Sequence, residues 1–450
     1  MTNEEKKAIL DNIESISAES LFAYIHPEEE ISLEEMKGTG KLEAAKRKKI
    51  EELKRNLAEN DEKAWNKAKS EATIESYNEY LRLYPNGKYR TTAHELFKVL
   101  QQAKDNVGKI KNEILTKIKI NPNDQLTPKI VNDHLSSGLF TTTDLKSAGI
   151  PDDIIDVLPF HNIVDLKLGE IPKSIPTGFT EVYFWGIQGS GKTCALAAIL
   201  SHAHETGVLE TKSGEGFHYM NQLKNIFRNN IGFLPPATST EVTQCLPFEL
   251  KDEKGKKHPI ALIELSGEIF QCYYYKTANL PLPGTSHEVT FKTVTDYLNG
   301  PNRKLHFFVF DLSKDPRKKD EYGLCQDDYL NAAQIYFKEK NIFKNSTDAI
   351  YIVATKSDLL PGDETMRASQ AESYLKKHFS SFVEVLKEVC SSFKINDNNE
   401  LRVIPFSLGK VYFNYICKFN NVSSSDIIQI LKEKTGKSTN SNKVWQFFNK

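Results

Sequence analysis

The residues of this chain with the most evident chemistry lie in EVYFWGIQGSGKTCALAAIL, residues 181–200. Gly186, Gly191, Lys192 and Thr193 complete the spacing G-x-x-x-x-G-K-[ST], with Gly189 and Ser190 inside the loop and Cys194 just beyond it. Glycines let successive backbone N–H groups turn inward around phosphate oxygens, and a helix that begins at the lysine adds the positive end of its dipole. A lysine in that place meets β- and γ-phosphates, and the hydroxyl that follows it ligates Mg²⁺. The flanks agree with this chemistry, because 181–185 reads as an apolar strand and 192–200 as an Ala-rich helix. Lys192 is expected to work in solvent, away from core atoms. A second GKST at 436–439 has Leu431 where the first glycine belongs and a helical pattern before it, so it is read as a decoy.

Three stretches follow in order. PIALIELSGE is an apolar strand that ends in Glu264 and leads to Gly267 and Glu268; AIYIVATKSD delivers Thr355, Lys356 and Asp358; LRVIPFSLGK carries Ser407 and Leu408. The first resembles the DxxGQ switch II box of GTPases, the second the [NT]KxD guanine box, and the third the SAK loop. With the phosphate loop, these make the chain resemble a P-loop GTPase of the translation-factor-related class. The ELSGE form, the long inserts and TKSD resemble the predicted double-GTPase families of bacterial conflict and signalling systems.

That resemblance implies GTP/GDP and Mg²⁺ as ligands, with Mg²⁺ the sole metal. It implies that Glu264 joins Thr193 at the metal, that the Gly267 N–H meets the γ-phosphate, and that Glu268 orients the attacking water. A carboxylate at Asp358 accepts from guanine N1–H and the 2-amino group, two donors adenine lacks, while Lys356 lies along the base beside Thr355. Ser407 and Leu408 stand where a backbone N–H meets guanine O6. Asp311, closing LHFFVFD, is the rival acid, but Glu264 is preferred because LHFFVF then supplies the strand between switch II and the base box. Switch I should offer a threonine to the metal. LPPATSTEVT holds Thr238 and Thr240, and Thr238 follows the rigid Pro235 and Pro236 more closely.

Lys192, Glu268 and Thr238 are thus the expected catalytic residues. Glu264 and Glu268 depart from the Asp and Gln of the family pattern, which keeps open a non-hydrolysing, nucleotide-stabilised scaffold, and a P-loop ATPase of signalling type stays open if TKSD is accidental. No arginine finger is evident. Arg228 is assigned to solvating a helix around FHYMNQLKNIF, the run Lys314, Arg317, Lys318 and Lys319 to a solvated loop, and Tyr273, Tyr274 and Tyr275 to packing. Slow hydrolysis follows, to be accelerated by a partner or by self-association.

These residues need elements to hold them. From about 179 onward, strand and helix patterns alternate, as in an α/β domain with a mostly parallel sheet, whereas 1–168 reads as helical. The fold class is therefore multidomain, an N-terminal all-α region followed by an α/β P-loop NTPase (G) domain. The expected divisions are an N-terminal helical region at 1–60, a helical hairpin at 61–105, a helical connector at 106–170 and the GTPase-like domain at 171–450. LGEIPKSIPTGF marks the last border with Pro172, Pro176, Gly169 and Gly178. In the helical part, Leu42, Ile50, Leu53 and Leu57 share a face, and 61–97 reads as three short helices around Pro85, Asn86 and Gly87. That stretch resembles the YPxGxY helical hairpins of bacterial signalling and effector proteins, which implies an adaptor that engages a protein partner. A weaker internal similarity aligns 20–36 with 129–145.

The 450 residues carry 59 basic and 60 acidic side chains, so no global field favours nucleic acid or an anionic membrane. Six scattered cysteines, with no C-x-x-C pair, argue against zinc and disulfides and for a reducing cytoplasm. No signal-peptide pattern and no apolar run of spanning length is present, and a cytoplasmic protein is expected.

Overall fold

The computed structural model describes residues 44–160, 172–214, 216–235, 243–320, 322–343 and 346–436, with isolated positions 4, 8, 11 and 166; at 44–50 and 53 it describes backbone alone. Expectations for Thr238, Thr240, Gly169, the side chains of Leu42, Ile50 and Leu53, the stretch 20–36 and residues 437–439 lie outside the described residues. Two compact units divide the chain, Met1–Thr116 and Lys117–Lys450.

In the first unit, helix α1 (Ala44–Glu71) is followed by α2 (Ile74–Leu83), and α3 (Arg90–Ile120) begins here and ends in the second unit. The sequence reads as three short helices, but only α2 is short. Nothing between 44 and 71 or between 90 and 120 stops a helix except the tolerated Gly108, so α1 and α3 run through, and the expected division at residue 105 falls inside α3. Between α1 and α2, Ala72 takes a left-handed φ of 49°, and Thr73 caps α2 through a reciprocal pair with Ser76. Leu57 is buried.

The YPNGKY stretch has a physical basis. The Asp61 carboxylate accepts from Tyr80 Oη at 2.5 Å and Lys88 N at 2.8 Å, and a Cβ on Gly87 would stand 2.5 Å from that phenol and 2.7 Å from that carboxylate. Only glycine lets the turn come so close. Trp65 closes the cluster by stacking on Tyr89 with ring centroids 5.1 Å apart.

The second unit opens with three short helices, α4 (Pro128–Ser136), α5 (Thr142–Ser147) and α6 (Asp152–Val157). The order is then β1 (Thr180–Trp185), α7 (Lys192–Glu205), β2 (Leu209–Thr211), α8 (Phe217–Leu223), β3 (Ile231–Phe233), β4 (Gln244–Lys251), β5 (Lys257–Glu264), α9 (Ile269–Thr277), α10 (Thr285–Asn299) and β6 (Arg303–Asp311). It continues with α11 (Gln326–Lys340), β7 (Thr347–Thr355), α12 (Glu364–His378), α13 (Ser380–Phe393), β8 (Arg402–Phe406), β9 (Gly409–Tyr412), β10 (Ile416–Phe419) and α14 (Val422–Gly436).

Seven strands form one sheet in the order β2-β4-β5-β1-β6-β7-β8. The run from β5 to β8 is parallel, and β4 and β2 add an antiparallel margin. Both faces are covered, as a parallel sheet requires. Val182 and Phe184 of β1 pack into the core that holds α7, α8 and α14, and Tyr183 and Trp185 into the core that holds α9 to α13. β1 pairs with β5 on one side and β6 on the other, so the connections leaving its C-terminal end diverge and open a crevice there. A second sheet has the order β3-β10-β9.

The proline-rich stretch is stitched to the second unit over its described part. Asn302 accepts from Gly178 N at 2.9 Å and donates to Pro176 O at 3.0 Å, and the Tyr297 hydroxyl donates to Pro172 O.

Candidate functional site

The loop between β1 and α7 lies at the mouth of that crevice. Gly191 caps α7 at a φ of 88°, and the helix starts at Lys192, so its first N–H groups face the loop. Gly186 needs to be glycine for space, because a Cβ there would stand 2.5 Å from Ser190 Oγ and 2.8 Å from Val309 O. Gly267, just past β5, comes so near Gln188 N that any Cβ would collide with it. Residues 264–268 are thereby held against the phosphate loop.

Lys192 departs from the expectation of a solvent-facing side chain. It is 8% exposed, and its ammonium donates to Gly186 O at 2.6 Å and Ile187 O at 3.0 Å. Two loop carbonyls thus face this cation. Burial lowers the lysine's pKa to about 8, the Glu264 carboxylate opposing the shift and Lys314 adding to it.

A pH dependence follows for phosphate binding. Below pH 8 the ammonium is already present; above it, binding an anion must draw a proton from solvent. Affinity for a nucleoside triphosphate is expected to be about fourfold weaker at pH 8.5 than at pH 7, with proton uptake growing over that range. Calorimetry in buffers of different ionisation enthalpy measures both, and a flat profile without uptake would contradict the lysine's role.

Thr193 Oγ1 donates to Glu264 Oε1, and the buried Tyr219 hydroxyl donates to Glu264 Oε2 at 2.7 Å. Asp311 is occupied elsewhere: its Oδ1 accepts from Ser313 N and Oγ at 2.8 and 2.6 Å, and its Oδ2 meets Lys356 Nζ at 2.9 Å. Of the two acids weighed from the sequence, Glu264 is thus the one beside Thr193. A hydroxyl and a carboxylate fit a hard divalent ion that keeps waters and phosphate oxygens in its shell. Among the described residues no cluster of three His, Cys, Asp or Glu forms an all-protein cage. Glu268 stands at the start of α9, half-buried, within 3.2 Å of Ser266 Oγ.

The base-box residues come to the same place from the far side. Thr355 Oγ1 lies 2.8 Å from Ser190 O and 3.0 Å from Phe310 O, Lys356 takes a left-handed φ of 59°, and Ser407 Oγ donates to Asp358 Oδ1 at 2.9 Å. A cavity of about 550 Å³ runs from Gly191 and Cys194 to Thr355, Lys356, Asp358 and Leu408. Its size is that of a small-molecule site. Burial, reinforced by Glu264, pushes the Cys194 thiol up to about 12, so it lines the cavity as a neutral group.

Three further groups escape sequence reasoning. Tyr219 sits in an apolar helical pattern and reads as core. Lys314 reads as one of a solvated run, yet its Nζ donates to Gln188 O at 2.5 Å and stands 2.8 Å from where a Cβ on Gly189 would be. Burial lowers its pKa. Asn121, Pro122 and Asn123 line the cavity from far upstream, without any motif. The other readings fare simply: Arg228 is exposed in a 3₁₀ turn outside α8, and Tyr273 is buried in the core.

No family model matches the chain, and no curated protein does. Among solved structures, it is similar to a chain of the signal recognition particle receptor SRb-GTP/SRX complex from Chaetomium thermophilum, at 15% identity and a TM-score of 0.31, covering 58% of this chain and all of that one. The GTP-bound GTPase-like domain of Ski7 from S. cerevisiae is similar at 17% identity and 0.28, over 59% of this chain and 52% of that one. Putative nucleolar GTP-binding protein 1 from Plasmodium falciparum follows at 12% and 0.28, over 61% and 94%. These neighbours are GTP-binding proteins, and at these values the likeness carries no argument for this chain. No described helix is long and apolar enough to cross a membrane.

Proposed function

We propose that this protein binds GTP with Mg²⁺ and hydrolyses it slowly, as a regulatory switch whose helical region is an adaptor for a protein partner. One observation carries the reading: the glycine loop at Gly191 and the carboxylate of Asp358 line a single cavity. A ligand that fills it has phosphates at one end and a base at the other. Asp358 recognises the two donors that guanine presents. Thr193 and Glu264 would hold Mg²⁺, with Thr238 as the proposed switch I ligand; bound there, the ion neutralises charge on the phosphates.

Hydrolysis needs a positioned water and a cation near the leaving group. Glu268 accepts from water but cannot donate to the γ-phosphate, and its charge repels it. A turnover of ~10⁻⁴ s⁻¹, as in GTPases without a finger, is the expected basal rate. Besides Lys192, a second cation, Lys314, already lies on the phosphate loop at Gln188 O. Lys314→Ala is expected to slow basal turnover about tenfold, the size of one charge-assisted hydrogen bond in the transition state. Unaltered basal turnover would remove Lys314 from the reaction. Glu268→Ala should slow the partner-stimulated rate more than the basal one.

The reading is tested by multiple-turnover phosphate release with GTP and ATP side by side. GTP release with little from ATP supports it; the reverse makes the protein an ATPase. Tight GTP binding without release makes it a nucleotide-stabilised scaffold, the reading that Glu264 and Glu268, replacing Asp and Gln, favour.

A further inference from the structure

The cavity has a wall that neither the phosphate loop nor the base box supplies. Asn121, Pro122 and Asn123, in the turn that ends α3 and within the second unit, line it together with Asp358, Lys410 and Asn414. The turn is sewn to the bend between β9 and β10. Asn123 Nδ2 donates to Val411 O at 2.9 Å, and Asn414 N donates to Asn123 Oδ1 at 2.9 Å. Asn414 Nδ2 reaches the carbonyls of Asn123 and Leu126 at 2.9 and 3.1 Å, and Phe413 N donates to Pro122 O at 3.2 Å.

Phe413 and Asn414 hold left-handed φ values of 53° and 63°. A buried phenylalanine in that conformation persists only where its surroundings fix it. β10 also pairs with β3, and Leu234, the next residue, donates its N–H to Tyr415 O at 2.7 Å and lines the same cavity. One small sheet thus brings segments from both sides of the phosphate loop to the nucleoside end. The wall mixes the polar Asn121 and Lys410 with the apolar Pro122, Leu234 and Val411. Asn121 Oδ1 accepts from Asn123 N at 3.0 Å, which leaves its amide hydrogens as donors. A sugar hydroxyl or a base carbonyl would accept from that amide, and the apolar part suits the flat faces of a nucleoside.

Resting on the GTP reading, we propose that residues 121–123 form the outer wall of the nucleoside pocket, so that a bound nucleoside tightens the docking of this turn on the β9–β10 bend and the docked turn slows nucleotide release. Phosphates alone leave the turn unaffected.

Hydrogen exchange of the full chain tests this in three states: free, with saturating Mg²⁺ and GTP, and with millimolar Mg²⁺ and inorganic tripolyphosphate. Amides of 117–126 should exchange about tenfold more slowly with GTP than with tripolyphosphate. Phosphate-loop amides should be protected by both. Asn414→Ala should then speed release of a fluorescent GDP analogue about fivefold, the scale of a lost hydrogen bond. Asn121→Ala, whose described bond lies within the turn itself, repeats the release test if Asn414→Ala does not fold. Protection of 117–126 by both ligands, or by neither while the phosphate loop is protected, overturns the wall. So does unaltered release from a folded variant. A phosphate loop that tripolyphosphate protects and GTP does not would show instead that the GTP reading has failed.

Discussion

Replacing Lys192 with alanine is expected to weaken GTP binding by about 10²- to 10⁴-fold, the loss of two charge-assisted hydrogen bonds to phosphate at about 1.5–3 kcal/mol each. The buried ammonium already bonds to Gly186 and Ile187 carbonyls, and phosphate oxygens entering the loop add to or replace those acceptors. Burial adds a second consequence that a solvent-facing lysine would not have. Gly186 O loses its ammonium donor while Ile187 O keeps Ser190 N at 3.2 Å, and removal of the desolvated cation offsets part of that loss, so the free variant should be less stable by about 1 kcal/mol. Circular dichroism and thermal unfolding separate this loss from binding, which calorimetry reads at a temperature where the variant is folded. GTP affinity unchanged in a folded Lys192→Ala protein would remove the phosphate-loop assignment.

The second large effect belongs to Asp358. On the proposed reading, two charge-assisted hydrogen bonds to guanine N1–H and the 2-amino group would let the carboxylate supply a GTP-over-ATP preference of about 10²- to 10⁴-fold. Asp358→Asn should erase most of it, because the amide turns a donor toward one of two donors. Ser407 holds one oxygen from behind at 2.9 Å and fixes the carboxylate's plane. Ser407→Ala is therefore expected to cost preference too, but only about tenfold, because the serine acts through the carboxylate's orientation and its bond to that charged group is worth about 1.5 kcal/mol. Competition binding with GTP and ATP measures both variants, and a preference untouched by Asp358→Asn would mean that the TKSD turn does not read the base.

What the sequence made legible was what local pattern determines. The phosphate loop could be read because glycine spacing, the apolar strand before it and the alanine-rich helix after it are all contiguous. The alternation of strands and helices from residue 179 likewise gave a mostly parallel sheet. Glu264 was separable from Asp311 by counting strands, and the sheet order puts each strand where that count needs it. Long-range groups left no such trace. Tyr219 is an ordinary core tyrosine until β5 brings Glu264 to it, and Lys314 is one cation of four until its loop folds over Gln188. Asn121 to Asn123 and Asn414 meet across nearly three hundred residues, a separation of 291 for the Asn414–Asn123 bond, and no periodicity encodes such a pairing. The two long helices depart from the short ones expected over 61–97 for a simpler reason: 44–71 and 90–120 contain no proline, so nothing there stops a helix.

The Thr355 hydroxyl, poised between Ser190 O and Phe310 O, makes the two ends of the cavity a single rigid gauge. A ligand is then measured by its span. On the proposed reading, guanosine alone and tripolyphosphate alone would each satisfy one end, and each would have to forfeit its own translational freedom to do so. GTP forfeits that freedom once and meets the second end at a high effective concentration, so its affinity should exceed the product of the two separate molar affinities. A loose cavity floor would let the ends drift and dissipate that gain. Thr355→Val, which keeps the shape and removes the tether, should leave each fragment's affinity nearly intact while lowering that of the joined molecule.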